Sequence, residues 1–249
     1  MGSVLGKIAV ETPQFELLKR TDSYEIRKYG PLVAAEVRAS EVFAGQEHKG
    51  NKLDSTGFRL LASYIGAIGK PANVAVSGER AESIAMTSPV VNQPEKIAMT
   101  APVVSRAEKV AMTAPVVTSD TTESGSRSSA GGLRGQSGAM KTEEGGVMAF
   151  YLPSKYSSVE SAPKPLDERV HLVQIPPRKV AVAIFSGNTD MRRSRTQAEE
   201  LFAALKVDQI RMKGDPASLD DAVWWLARYN PPWSLPWTKR NEVHIELES

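Results

Sequence analysis

Apolar positions along this chain recur with two periods, and each period marks a different kind of element. Leu32-Val-Ala-Ala-Glu-Val37 puts Val33, Ala35 and Val37 on one face by the two-residue repeat of a strand. Phe15-Glu-Leu-Leu18 and Tyr24-Glu-Ile-Arg27 precede it, and the Tyr29-Gly30-Pro31 turn signal predicts a hairpin there. Beyond a polar loop holding His48, the residues Phe58, Leu61 and Ile65 fall at helical spacing. Ser55 or Thr56 can cap that helix, and Gly66, Gly69 and Pro71 end it.

The second half repeats the plan. His171-Leu-Val-Gln-Ile175, a Pro176-Pro177 turn and the alternating Val180-Ala-Val-Ala-Ile-Phe185 are followed by a helix over 196–205. Near the C-terminus a strand runs into Tyr229, two prolines stop it, and another emerges at Glu242. In that last strand Val243, Ile245 and Leu247 share one face, and the alternation predicts a solvent-facing side for Glu242, His244 and Glu246. Strands outnumber helices and both halves read hairpin, helix, strand. The expected class is α+β, an antiparallel sheet made by internal duplication with two main helices packed on it.

One phrase occurs three times, as Ile84-Ala-Met-Thr-Ser-Pro-Val-Val91, Ile97-Ala-Met-Thr-Ala-Pro-Val-Val104 and Val110-Ala-Met-Thr-Ala-Pro-Val-Val117, in steps of 13 residues. Three copies at that period are too few and too short for a solenoid, so they read as a tandem expansion of one strand. Near-identity permits register exchange among them. Met86, Met99 and Met112 share faces with the preceding Ile or Val and are expected as core filler. In residues 118–146, 17 of 29 are Ser, Thr or Gly, too little apolar surface to offset ordering entropy, and a disordered insertion is expected there. Residues 1–12 form an extension to a single domain over 13–249.

Composition narrows the function. The 31 basic and 29 acidic side chains leave a net +2, without the basic excess of a nucleic-acid binder. Cysteine is absent, which excludes disulfides, thiolate catalysis and iron–sulfur clusters. The three histidines, His48, His171 and His244, show no ligand-pair spacing, so no protein metal site is expected. Nucleophile elbow, phosphate loop and zinc-protease motifs are all missing, so the chain does not read as an enzyme. No stretch approaches the roughly 18 apolar residues of a membrane span. The N-terminus lacks a signal or transit pattern, and a cytoplasmic protein is expected.

Several long motifs resemble the SOUL haem-binding family: Ser23-Tyr-Glu-Ile-Arg-Lys-Tyr-Gly-Pro31, the Lys-Ile-Ala-Met-Thr-Ala-Pro-Val-Val phrase, Asp167-Glu-Arg-Val170, and Tyr229-Asn-Pro-Pro-Trp followed by Arg240-Asn-Glu-Val243. The tandem copies and the Gly-Lys-Ile-Ala-Val-Glu-Thr-Pro opening look most like plant members. The resemblance implies a distorted antiparallel β-barrel of two pseudo-symmetric repeats. It also implies a hydrophobic cleft for haem or other tetrapyrroles, bounded by residues 58–65 and 229–240.

A planar tetrapyrrole with two propionates needs an apolar slot, aromatic faces and cations at the rim. On that implied cleft, Leu61, Tyr64 and Ile65 line one wall. Tyr229, Pro232, Trp233 and Trp237 line the other, and Arg59, Lys239 and Arg240 meet carboxylates. Some animal members carry a histidine implicated as the axial ligand where this chain has Lys28. A lysine with a pKa near 10.4 is charged and ligates poorly, so Lys28 is a propionate partner at most. Binding without strong axial ligation is therefore expected: a carrier or buffer that exchanges haem or porphyrin with protein donors and acceptors without turnover. The alternative is a protein-interaction module using the insertion and the extra strand copies, with tetrapyrrole affinity incidental.

Overall fold

The computed structural model describes residues 10–42, 52–78, 80–94, 146–231 and 233–249. The second and third copies of the repeated phrase, with Met99 and Met112, and the 118–145 stretch lie outside the described residues, as do His48 and Pro232.

The elements in chain order are β1 (Phe15–Arg20), β2 (Glu25–Tyr29), β3 (Leu32–Arg38), a short helix α1 (Ala39–Val42), α2 (Lys52–Ile65), β4 (Asn73–Val74), β5 (Val90–Pro94), β6 (Gly146–Tyr151), β7 (Lys164–Pro165), β8 (His171–Ile175), β9 (Arg178–Ser186), α3 (Met191–Val207), β10 (Trp224–Arg228) and β11 (Arg240–Glu246). Nine strands form one antiparallel sheet in the order β1-β2-β9-β11-β10-β5-β6-β3-β8, and β4 pairs with β7 apart from it. The sheet curls into a half-barrel with helices packed on it, an α+β architecture.

Without β1 the strand order is a palindrome of two equivalent sets, each a first strand, a second strand, a helix and a closing hairpin. The sets are β2, β9, β11, β10 with α3, and β8, β3, β6, β5 with α2; they meet where Leu226, Ala227 and Arg228 pair with Asn92, Val91 and Val90. The internal duplication is therefore visible in the topology. The strands around Gly30-Pro31, however, do not pair as a hairpin: β2 lies against β1 and β9, and β3 against β6 and β8. The same holds around Pro176-Pro177. A two-residue hairpin needs a positive φ that proline cannot adopt, so both connections carry the chain across to the other half. Tyr29 then faces Arg178 and Leu32 faces Ile175, which sets the two crossings side by side.

Both helices extend further than their spacing predicts. Helix α2 begins at Lys52, ahead of the Ser55 and Thr56 candidates, and stops at Gly66, whose φ of +80° suits a residue without Cβ. Helix α3 begins at Met191, where the Asp190 carboxylate accepts the Arg193 amide at 2.8 Å. The Arg192-Arg193-Ser-Arg195 run thus lies within its first turns. Leu61, Tyr64 and Ile65 of α2 pack on Val33, Val37, Met148 and Phe150, while Ala198, Leu201 and Leu205 of α3 pack on Ala181, Val243 and Ile245. The first copy of the repeated phrase leads into β5: the Ile84 amide donates to the Ile65 carbonyl at 3.0 Å, and Thr87 donates its hydroxyl to the Tyr151 carbonyl. Met86 precedes the strand in irregular chain and is exposed, not core filler, because no ladder there turns it inward.

Truncating a fully buried leucine of either helix, Leu61→Ala in α2 or Leu205→Ala in α3, is expected to cost about 2–5 kcal/mol in urea unfolding. Val207→Ala at the exposed end of α3 should change stability by about 0.5 kcal/mol or less.

Candidate functional site

The register aligns a continuous row of polar side chains on the sheet face turned away from the helices. Glu25, Arg27 and Tyr29 of β2 sit opposite Val182, Val180 and Arg178 of β9, and His244 of β11 sits between Val182 and Trp225 of β10. Strand β11 is central, so its second face is enclosed by the curl of the sheet. Glu242 is 0% and His244 4% exposed, which corrects the solvent-facing placement expected for His244. Val243 and Ile245, on the other face, meet α3 as their alternation predicts.

Arg27, 1% exposed, anchors the row. Its guanidinium reaches Glu25 at 2.5 Å and Glu242 at 3.1 Å, and the Phe15 ring of β1 lies 4.3 Å away over its face. Glu242 also accepts from Arg240 at 2.5 Å, from the Tyr229 hydroxyl at 2.7 Å and from His244 Nε2 at 3.1 Å. Burial alone would raise the Glu242 pKa, but the His244 hydrogen bond and the Arg27 and Arg240 charges hold it well below the usual carboxylate range. Burial also dominates at His244 and pushes its pKa down, aided by Arg27 and Arg178 and opposed by Glu242. The Tyr29 hydroxyl is raised to about 12, chiefly by burial.

Beside this network lies a narrow cavity of about 10 Å³ bounded by Tyr29, Tyr151, Arg178, Trp225, Tyr229 and His244, with Pro13, Leu32, Pro89 and Ala227 completing the wall. Trp225 stacks on His244 at 5.1 Å between centroids, and the Arg178 guanidinium lies 4.0 Å from the centre of the indole.

The residues expected to meet a tetrapyrrole fall in two places. Leu61, Tyr64 and Ile65 are buried between α2 and the sheet, where Tyr64 donates its hydroxyl to the Pro163 carbonyl at 2.8 Å; Arg59 is exposed. In the β10–β11 loop, Trp233 and Trp237 are 71% and 72% exposed. Lys239 there donates to Asn188 at 2.8 Å, while Tyr229 and Arg240 turn inward to Glu242. Helix α2 packs on β3 and β6, whereas the loop meets β9 and the turn that follows it. Lys28 is exposed on β2, apart from both.

Arg27, Tyr151, Arg178, Trp225, Glu242 and His244 were not singled out by the sequence as a group. A signal was present: Glu-x-His-x-Glu alternates with apolar residues in a strand that others flank, and a central strand has no solvent side when its sheet is curled.

A family model described as SOUL heme-binding protein matches residues 10–246. No curated protein matches the chain. Among solved structures, a hydrolase from Listeria innocua is 8% identical, covers 93% of this chain and 94% of its own and has a TM-score of 0.45. A second Listeria innocua hydrolase is 8% identical with the same coverage and a TM-score of 0.47. An uncharacterized conserved protein from that organism is 7% identical over 91% of this chain and 92% of its own, with a TM-score of 0.46. Likeness at this level carries no argument about function.

Replacing Glu242 with Gln leaves Arg27 buried without half its counter-charge and is expected to cost about 3–5 kcal/mol in urea unfolding. His244 gives a second check. Its folded pKa lies below the unfolded value of about 6.5, so the unfolded chain gains the proton first and stability falls as pH drops below about 6.5. The urea midpoint of the native chain should therefore decline from pH 7 to about pH 5, and His244→Gln should flatten that limb. A further decline below about pH 4.3, where Glu242 protonates in the unfolded chain first, should remain in the variant.

Proposed function

The chain belongs to the SOUL heme-binding protein family, and on that premise we propose that it binds haem or another tetrapyrrole reversibly and passes it on unaltered. The observation that carries this reading is the β10–β11 loop, where two indoles stand more than 70% exposed within five residues of each other. Large aromatic side chains left in water at one spot mark a contact surface for an apolar partner. A porphyrin presents broad π-faces for such rings, and Lys239 in the same loop offers a cation to a propionate.

The inner cavity, at about 10 Å³, has room for little more than one water and does not suit a porphyrin. The ligand is therefore assigned to the outer surface, with Trp233 and Trp237 as stacking faces and Lys239 and Arg59 as candidate rim cations. Leu61, Tyr64 and Ile65, being buried, would act by fixing the position of α2. Tyr229 and Arg240 would shape the base of the loop.

Axial ligation by the protein is expected to be weak. Lys28 is exposed and Met86 lies outside the strands; His171 is paired with Glu41, and His244 is turned to Glu242 inside the sheet. Haem, when bound, supplies redox-active iron; the residues named here hold its ring and its carboxylates. Among the described residues no helix is long and apolar enough to cross a membrane, and transfer between protein donors and acceptors in the cytoplasm is the setting proposed.

Titration with hemin and with metal-free protoporphyrin, followed by tryptophan quenching and the Soret band, tests the reading. Similar saturable affinity for both ligands is expected. Trp233→Ala and Trp237→Ala should each weaken binding by about two- to tenfold, the worth of one aromatic contact. Absence of saturable quenching by either ligand would sink the proposal.

A further inference from the structure

The ladder between β10 and β11 ends where Arg228 faces Asn241, and the chain leaves it through two stems, Tyr229 on one side and Arg240 on the other. The Tyr229 amide donates to the Arg240 carbonyl at 3.1 Å, and the Arg240 amide donates to the Asn230 side-chain oxygen at 2.8 Å. These bonds close the mouth of the tryptophan loop. Behind that mouth one buried carboxylate takes hold of both stems.

Glu242 divides its oxygens between them. Its Oε1 accepts from Arg240 Nε at 2.9 Å and Nη2 at 2.5 Å, and its Oε2 accepts from the Tyr229 hydroxyl at 2.7 Å. Burial and the Glu242 charge push the Tyr229 pKa up, so that hydroxyl stays a donor. The Arg240 guanidinium also lies 5.2 Å from the centre of the Tyr229 ring, which packs the stems on each other.

A grip is only as firm as its anchor. Arg27 Nη1 reaches the same two oxygens at 3.2 and 3.1 Å from β2, across the intervening β9, and Arg27 is itself held by Glu25 and covered by Phe15. Glu242 cannot follow the loop outward without leaving Arg27 buried and short of a counter-charge, which is strongly unfavourable. Both exposed indoles hang from the clamped stems, Trp233 four residues after Tyr229 and Trp237 three before Arg240. Stacking on a planar ligand depends on how such rings stand, and a loop already held in place loses less entropy on binding.

We propose that Glu242 is a positioning residue for tetrapyrrole capture, a role that rests on the assignment of the ligand to this loop. It touches no ligand. By gripping both stems it holds Trp233 and Trp237 ready for the porphyrin face.

Tyr229→Phe tests this in the full chain, because it keeps the ring and removes one of the two grips. Its affinity for metal-free protoporphyrin, read by tryptophan quenching, should fall about two- to tenfold, and chymotrypsin cleavage after Trp233 and Trp237 should quicken by a similar factor. Tyr24→Phe is the matched control: it removes a tyrosine hydroxyl bond to Asp208 on the helix-bearing face of the sheet. Both readouts should stay within about twofold of the native chain in that variant, which a general loss of stability would not allow. Should Tyr229→Phe not fold, Arg240→Lys, which keeps the charge but loses the planar fork on Oε1, takes its place with the same expectation. Native affinity and native cleavage in the stem variant, or an equal loss in Tyr24→Phe, overturns the positioning role alone. A native chain that binds no tetrapyrrole sinks the ligand assignment, and the role in capture with it.

Discussion

The guanidinium of Arg27 and the carboxylate of Glu242 lie against each other in the middle of a curled sheet, and the character of its inner face depends on that pair. Neither charge could remain there unless nearly every polar atom around it were engaged. Glu25, Arg240, Tyr229 and His244 supply that engagement. The result ties β2, near the start of the chain, to β11, near its end, through side chains that reach across the intervening β9. It also fixes the tilt of the His244 ring, and with it the indole stacked beneath.

Hydrophobic alternation made the individual strands legible. Leu32 to Val37 and Val180 to Phe185 became strands, as did the stretch from Glu242 to Glu246, and the helical triad Phe58-Leu61-Ile65 found the core it pointed to. Which strand lay beside which was not legible, because pairing depends on the connections. Gly30-Pro31 and Pro176-Pro177 look like hairpin turns by composition, yet the φ that proline imposes sends each chain segment across to the other repeat. The helix starts were missed for a local reason: Asp190 caps α3 well ahead of the apolar spacing that marks the helix body.

The two candidate sites were legible to different degrees. Trp233 and Trp237 stand out in a sequence because large aromatics between prolines have little else to pack on, and they are indeed exposed. The inner site was hidden because a row of Glu, His and Arg alternating with Val and Ile reads as a wet face. Burial of that row is a property of curvature, which arises from the joining of two repeats, so the Glu-x-His-x-Glu pattern signals it only once the strand is known to be central. Leu61 and Ile65 show the converse, since helical spacing put them on one face but said nothing of whether a ligand or the sheet would cover it.

The first copy of the repeated phrase differs from the other two at one interior position, with Ser88 where they carry Ala101 and Ala114. The Ser88 hydroxyl donates to the Tyr229 carbonyl at 3.0 Å, at the foot of the tryptophan loop. An alanine copy placed in the same slot would forgo that bond, a handicap of about 0.5–1.5 kcal/mol, or roughly two- to tenfold in occupancy. A single oxygen atom thus ties the first copy to the base of the tryptophan loop in a way that neither alanine-bearing sequence could reproduce in that place.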